Sequence, residues 1–160
     1  MDIQLDSLDF DKFTIKDKNG NNITISIRDE LVINETNIQQ EFLNQSGKYA
    51  YWANLLEIIR HHSETENIKL ESLGSQLNLQ VRQQYKASGE KPTKDMVESA
   101  IYTDPSYQAQ LKEVKKWEYR TKQFQYIVKA FEQRSLMLTQ YGADLRKTNA
   151  HVGSSNPYSY

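Results

Sequence analysis

The sequence predicts a mainly α protein: a long antiparallel helical hairpin of coiled-coil type, with a small N-terminal β-hairpin and a flexible C-terminal tail. Three observations lead there. Only 38% of the 160 residues are apolar and mean hydropathy is −0.78, so long helices sharing a narrow seam suit the chain better than a thick globular core. Residues 105–146 carry Trp117, Thr121, Phe124, Val128, Phe131, Ser135, Leu138, Gly142 and Leu145 at alternating steps of four and three, the heptad spacing of a coiled-coil seam. Residues 13–27, "FTIKDKNGNNITISI", alternate apolar and polar side chains about an Asn-Gly pair that tolerates positive φ, which is a β-hairpin signature.

Two strands alone are marginal in water, so the hairpin must lean on the helices or on another subunit. Residues 31–33 read as a short extended run, after which Asn34 or Thr36 caps a helix ending near Ser46-Gly47. The first long helix is expected over 48–87, roughly 60 Å at 1.5 Å per residue. Its stripe is Trp52, Leu56, Ile59, Leu70, Leu73 and Leu77, with a polar step near Ser63 and Glu66. Gly74 is its weakest interior position, costing about 1 kcal/mol relative to alanine. Gly89 can end that helix and Pro92 cannot continue it. Thr93 then caps a short helix, "KDMVESAI", and Asp104-Pro105 starts the second long helix with a capping side chain followed by proline. The ending "TNAHVGSSNPYSY" is polar and without periodicity, as in a flexible tail. The expected organisation is an acidic segment 1–47, a helical hairpin 48–147 and a tail 148–160.

The net charge of −1 conceals an asymmetry: residues 1–47 carry nine acidic and four basic side chains, residues 48–160 twelve acidic and sixteen basic. That split permits an anionic partner for the second part and is equally compatible with ordinary solvated surface. There is no cysteine, which excludes a disulfide framework and a thiolate metal site. With no signal-peptide or membrane-span pattern, the expectation is a soluble, intracellular, cytoplasmic chain without a membrane partner. Catalysis finds no support. His61 and His62 are adjacent, so on a helix they point about 100° apart and cannot clamp one metal. "SGEKPTKD" lacks the glycine before Lys-Ser/Thr that a phosphate-binding loop needs and follows a helix instead of a strand. No serine, lysine or carboxylate pair has a spacing that argues for nucleophilic or acid-base chemistry, and no cofactor is implied.

The junction at 81–105, "VRQQYKASGEKPTKDMVESAIYTDP", is the more informative stretch. Arg82 and Lys86 lie four apart on one helix face with Tyr85 beside them, and Lys91 and Lys94 follow across the turn. Cations that track phosphates beside an aromatic face that stacks a base suit a flexible single strand. Lys112, Lys115, Lys116, Arg120 and Lys122 form a second basic set on the second long helix, expected at the same end of the antiparallel pair. Solvated surface is the plain alternative for both sets, and a core position for Tyr85. Tyr119, Tyr126, Ile127, Leu136, Met137 and Tyr141 widen the apolar face of that helix, and self-association would bury the excess.

"ELVINETNIQQE" at 30–41 resembles the N-terminal signature of the UvsY-like recombination mediator proteins of tailed bacteriophages, with Tyr49 and Trp52 matching the aromatic pair that follows. "RQQYKASG" is similar to the family's basic-aromatic segment ending in Tyr-x-x-Ser-Gly. "AIYTDPSY" stands where the family starts its next helix, and "KAFEQR" matches its Ala-aliphatic-x-x-Arg through Ala130, Phe131 and Arg134. The resemblance spans roughly residues 29–147. The β-hairpin and the tail have no counterpart, and of the family's basic pair Arg82 corresponds while the other position falls on Gln80. The resemblance implies a non-enzymatic accessory factor that binds single-stranded DNA, forms ring-like homo-oligomers and helps a RecA-like recombinase displace the single-strand-binding protein in an infected bacterial cell. It assigns the strand to Arg82 and the lysines near it, and oligomerisation to Phe131, Leu138 and their neighbours. Together with the residue reading, the strand-binding set is Arg82, Tyr85, Lys86, Lys91, Lys94, Lys112, Lys115, Lys116 and Arg120, and the oligomerisation set Phe124, Val128, Phe131, Leu138, Tyr141 and Leu145. The rival is a virion structural or assembly protein, or a coiled-coil adaptor, whose helices bind only protein and whose hairpin edge docks on another sheet. A zinc hydrolase on His61 and His62 stands third.

Overall fold

The computed structural model describes residues 12–16 and 21–154 and is mainly α, with long helices packed together. In chain order come β1 (Lys12–Lys16), β2 (Asn22–Ser26), α1 (Ile27–Leu31), a 3-10 turn (Glu35–Asn37), α2 (Ile38–Ala87), α3 (Lys94–Thr103) and α4 (Pro105–Ser154). β1 and β2 pair antiparallel, from Lys12 opposite Ser26 to Lys16 opposite Asn22; the Asn19-Gly20 turn expected between them lies outside the described residues. The chain divides into two compact units, Met1–Tyr51 with Ile127–Tyr160, and Trp52–Tyr126. Both long helices contribute residues to each.

In the first unit, Ser26 ends β2 and caps α1, its Oγ accepting from the Asp29 amide at 3.2 Å. The extended run expected at 31–33 is therefore shorter, because Leu31 closes α1 and extended backbone begins at Val32. Asn34 caps the following turn as its residue type predicts, accepting from the Thr36 amide at 3.0 Å. The break expected at Ser46-Gly47 is absent, since α2 runs through it unbroken. Anchors on either side explain why. Gln45 Nε2 donates to the Phe131 carbonyl at 2.8 Å, and Lys48 Nζ reaches the Glu30 carboxylate at 3.1 Å, contacts that offset the roughly 1 kcal/mol a mid-helix glycine costs.

The polar centre of this unit is Arg134, only 3% exposed on α4. Nε donates to the Leu31 carbonyl and Nη2 to the Val32 carbonyl, each at 3.1 Å, while Nη1 meets Gln45 Oε1 and Nη2 pairs with Glu41. Phe131 and Leu138 flank it on α4, fully buried. Gly142 lies where an added Cβ would come within 2.7 Å of the Phe42 ring, so the missing side chain makes room for that ring.

In the second unit the expected stripe is borne out at Trp52, Leu56 and Leu77, which are buried, and in part at Ile59, Leu70 and Leu73, which are half-buried. Val97 from α3 and Val114 and Phe124 from α4 complete the core. Trp52 and Phe124 meet at 6.0 Å. The polar step does not interrupt the packing: Ser63 is buried, and Glu66 accepts from Gln110 Nε2 at 2.7 Å. Numbers fall along α2 as they rise along α4, so the helices run antiparallel in this unit. The tail expected from 148 is also corrected, because α4 stays helical to Ser154 with no proline between 105 and 157, and 155–160 lie outside the described residues.

Two substitutions test this account. An added Cβ at Gly47 would meet nothing within 4 Å and the residue has no positive φ, so Gly47→Ala should raise stability by about 1 kcal/mol in thermal unfolding, whereas a helix break there would make alanine destabilising. Burial alone would raise the Glu41 carboxyl, but hydrogen bonds from Arg134 and the Asn34 amide, with the charges of Arg134 and Lys48, outweigh it and hold the group below its ordinary 4.5. A carboxyl depressed on folding adds stability above its unfolded pKa that is lost as pH falls through the folded one. Glu41→Gln should therefore cost about 3 kcal/mol at neutral pH, the low end for removing one partner of an enclosed pair. That cost should shrink as the pH drops below the ordinary carboxylate range. Circular-dichroism melts of both proteins across acid pH check it.

Candidate nucleic-acid interface

The α2–α3 junction is built by a helix stop of defined geometry. The Glu90 amide donates to the Tyr85 carbonyl at 2.9 Å and the Gly89 amide to Lys86 at 3.2 Å, the paired bonds of a Schellman cap that needs a left-handed residue. Gly89 supplies it, with φ of 79°. Thr93 then caps α3 by accepting from the Met96 amide at 3.3 Å. Asp104 starts α4 by accepting from the Ser106 and Tyr107 amides at 2.8 and 3.2 Å; hydrogen bonding from Ser106, then Tyr107, keeps its carboxyl below the ordinary range.

This stop presents the predicted cations outward. Arg82, Lys86, Lys91 and Lys94 are exposed and Tyr85 is half-buried. Arg82 Nε donates to Asn78 Oδ1 at 2.8 Å, which orders the side chain along the helix. Lys94 pairs with Glu98 at 3.5 Å. Among the described residues no carboxylate pairs with Arg82, Lys86 or Lys91.

The second basic set does not join them. Trp117 faces His62 and Gln110 faces Glu66, so residues 112–120 lie beside the middle of α2, on the order of 30 Å from Arg82 at 1.5 Å per residue. The expectation that both sets share one end placed the start of α4 too close to the end of α2; α3 occupies the chain between them. Lys115 pairs with Glu118 at 2.9 Å and Lys116 with Glu113 at 3.1 Å. Lys112 and Lys122 are exposed, and Arg120 lies 4.9 Å over the Trp117 ring.

The residues assigned to oligomerisation are mostly spent inside the chain. Phe124, Val128, Phe131 and Leu138 are buried and Tyr141 and Leu145 half-buried, because one chain's α2 covers the seam that heptad spacing left without a named partner. Exposed apolar side chains lie elsewhere, among them Leu43 at 74% and Leu136 at 71%. The buried Arg134 cluster escaped the periodicity reading, which counts arginine as surface; only its place in "KAFEQR" marked it. His62 stacks on Trp117, and among the described residues no group of three or more His, Asp or Glu could hold a metal ion. Nor is any described helix long and apolar enough to cross a membrane. No protein-family model, curated protein or solved structure matches the chain.

Since an L-residue in the left-handed region costs roughly 1–2 kcal/mol, Gly89→Ala should lower stability by that amount, and Gly89→Asn by less. Urea unfolding of the three proteins measures the order.

Proposed function

We propose that the chain is a non-enzymatic single-stranded-DNA-binding recombination mediator that helps load a RecA-like recombinase onto DNA covered by single-strand-binding protein. The observation that carries the reading is the α2–α3 junction, where Arg82, Lys86 and Lys91 stand exposed without a described carboxylate partner beside Tyr85. Cations of this kind attract phosphates without reading sequence, and an adjacent ring adds stacking that every base can satisfy. The similarity of residues 29–147 to the UvsY-like mediators supplies the biological role. Assembly into a homo-oligomer, ring-like as the resemblance implies, is supported by the exposed Leu43, Leu136 and Met137 and by a groove of about 540 Å³ lined by Phe42, Tyr49, Leu136 and Leu138. The same apolar side chains favour a second reading, a structural or adaptor protein that binds only protein.

Anisotropy of a labelled 30-nucleotide single strand separates the two. The three phosphate contacts of the junction should contribute about −2 to the slope of log affinity against log salt, at about −0.7 per contact, and about −3 if Lys94 leaves Glu98 for the strand. Replacing Arg82, Lys86, Lys91 and Lys94 by alanine should remove most of that salt dependence. A folded protein that binds no strand at any salt would leave the protein-only reading standing.

A further inference from the structure

We infer that the unit Trp52–Tyr126 holds a second single-strand contact, separate from the α2–α3 junction and centred on a stack of His62, Trp117 and Arg120. The inference rests on the single-stranded-DNA reading above and extends it from one locus to two. The His62 ring lies 5.0 Å from the Trp117 ring at an interplanar angle of 21°, and the Arg120 guanidinium carbon lies 4.9 Å from the Trp117 centroid. An indole is thus already in contact with two further planar groups, and His62 and Arg120 are both exposed while Trp117 is half-buried.

Lys112, Lys116 and Arg120 follow at four-residue steps along one edge of α4. Of the carboxylates nearby, Glu66 pairs with Lys69, Glu113 with Lys116 and Glu118 with Lys115. Lys112 and Arg120 have no carboxylate partner among the described residues, so the cluster keeps an excess of positive charge. A purely structural role accounts for Trp117 bridging α2 and α4. It does not account for two exposed planar groups on that indole with unmatched cations alongside. Nucleobases stack on aromatic rings and on arginine guanidinium planes alike. A base can lie on the exposed imidazole or guanidinium, or displace Arg120 from the indole and free it for a phosphate, while Lys112 takes the neighbouring phosphate.

The two loci differ in what strand they need. With Trp117 facing His62, the stack lies on the order of 30 Å along α2 from Arg82, which a stacked strand spans in roughly nine nucleotides at 3.4 Å each. A longer strand engages both loci and gains from the second being intramolecular; a six-nucleotide strand engages one.

Trp117 reports on its own site, because the chain has two tryptophans and the other, Trp52, is 1% exposed. The experiment titrates the full chain with unlabelled oligo-dT of 30 and of six nucleotides, reading tryptophan emission, alongside anisotropy of the labelled strands. Wild type, Lys112→Ala/Arg120→Ala and the junction quadruple variant are compared, each verified as folded by circular dichroism. Tryptophan emission should fall on adding the 30-mer with the same midpoint as the anisotropy. In K112A/R120A that change should be lost and the 30-mer should bind about tenfold more weakly, while the hexamer's binding falls far less, because it keeps the junction. The junction variant should still show the emission change at higher strand concentration. Binding of the 30-mer with unchanged emission, and equally tight in K112A/R120A, overturns the second contact and leaves the junction reading intact. No anisotropy change with any strand overturns both.

Discussion

Arg134 is the one charged side chain that the described residues enclose, and the packing of the first unit depends on satisfying it. A guanidinium has five N–H donors in a fixed fork and cannot lose its proton, so burial is tolerable only where acceptors wait at set positions. Here they are two carbonyls at the end of α1, the Gln45 amide oxygen and the Glu41 carboxylate. Gln45 is itself oriented, because its Nε2 is committed to the Phe131 carbonyl one turn back on α4. Such a cluster specifies register more than it adds stability. Sliding α4 by a turn would carry the guanidinium away from every acceptor at once, whereas sliding an apolar knob merely repacks it.

The parts of this fold that were legible in the sequence are those decided within a few residues. Asn34, Thr93 and Asp104 cap the turns that follow them, and Gly89 takes the left-handed conformation its position requires; each is local hydrogen-bond or steric chemistry. What was not legible was decided across the fold. Ser46-Gly47 has the composition of a stop, but Gln45 and Lys48 are held by groups distant in sequence, so the helix continues. Ser63 looks like a gap in the stripe and is nonetheless buried.

The candidate site shows the same division. The cations around Gly89 were legible as a cluster because neighbours in sequence there are neighbours in space. Lys112–Arg120 were assigned to the wrong end because register between two long helices is set by contacts such as Gln110 with Glu66, which no spacing rule contains. Heptad periodicity likewise shows that a face is covered without showing what covers it. Phe124, Val128, Phe131 and Leu138 satisfy an oligomer seam and an intramolecular one equally well, and their burial within one chain decides between the two.

A helix end is an awkward place to hold a phosphate, and the magnitudes at the junction show how it can still serve. The C-terminus of α2 carries roughly −0.5 of an elementary charge from its aligned peptide dipoles, which repels an anion within about one turn. Lys86 lies in that last turn and offsets the dipole in full, with Lys91 just beyond the cap. Arg82 stands a further turn back, where the dipole has faded, and its bond to Asn78 has already fixed part of its side chain, lowering the ordering entropy that a phosphate contact would otherwise cost. The Thr93-capped start of α3 supplies the opposite, favourable dipole end. The balance is an attraction carried by few cations, which suits the hold-and-release role proposed above for the strand.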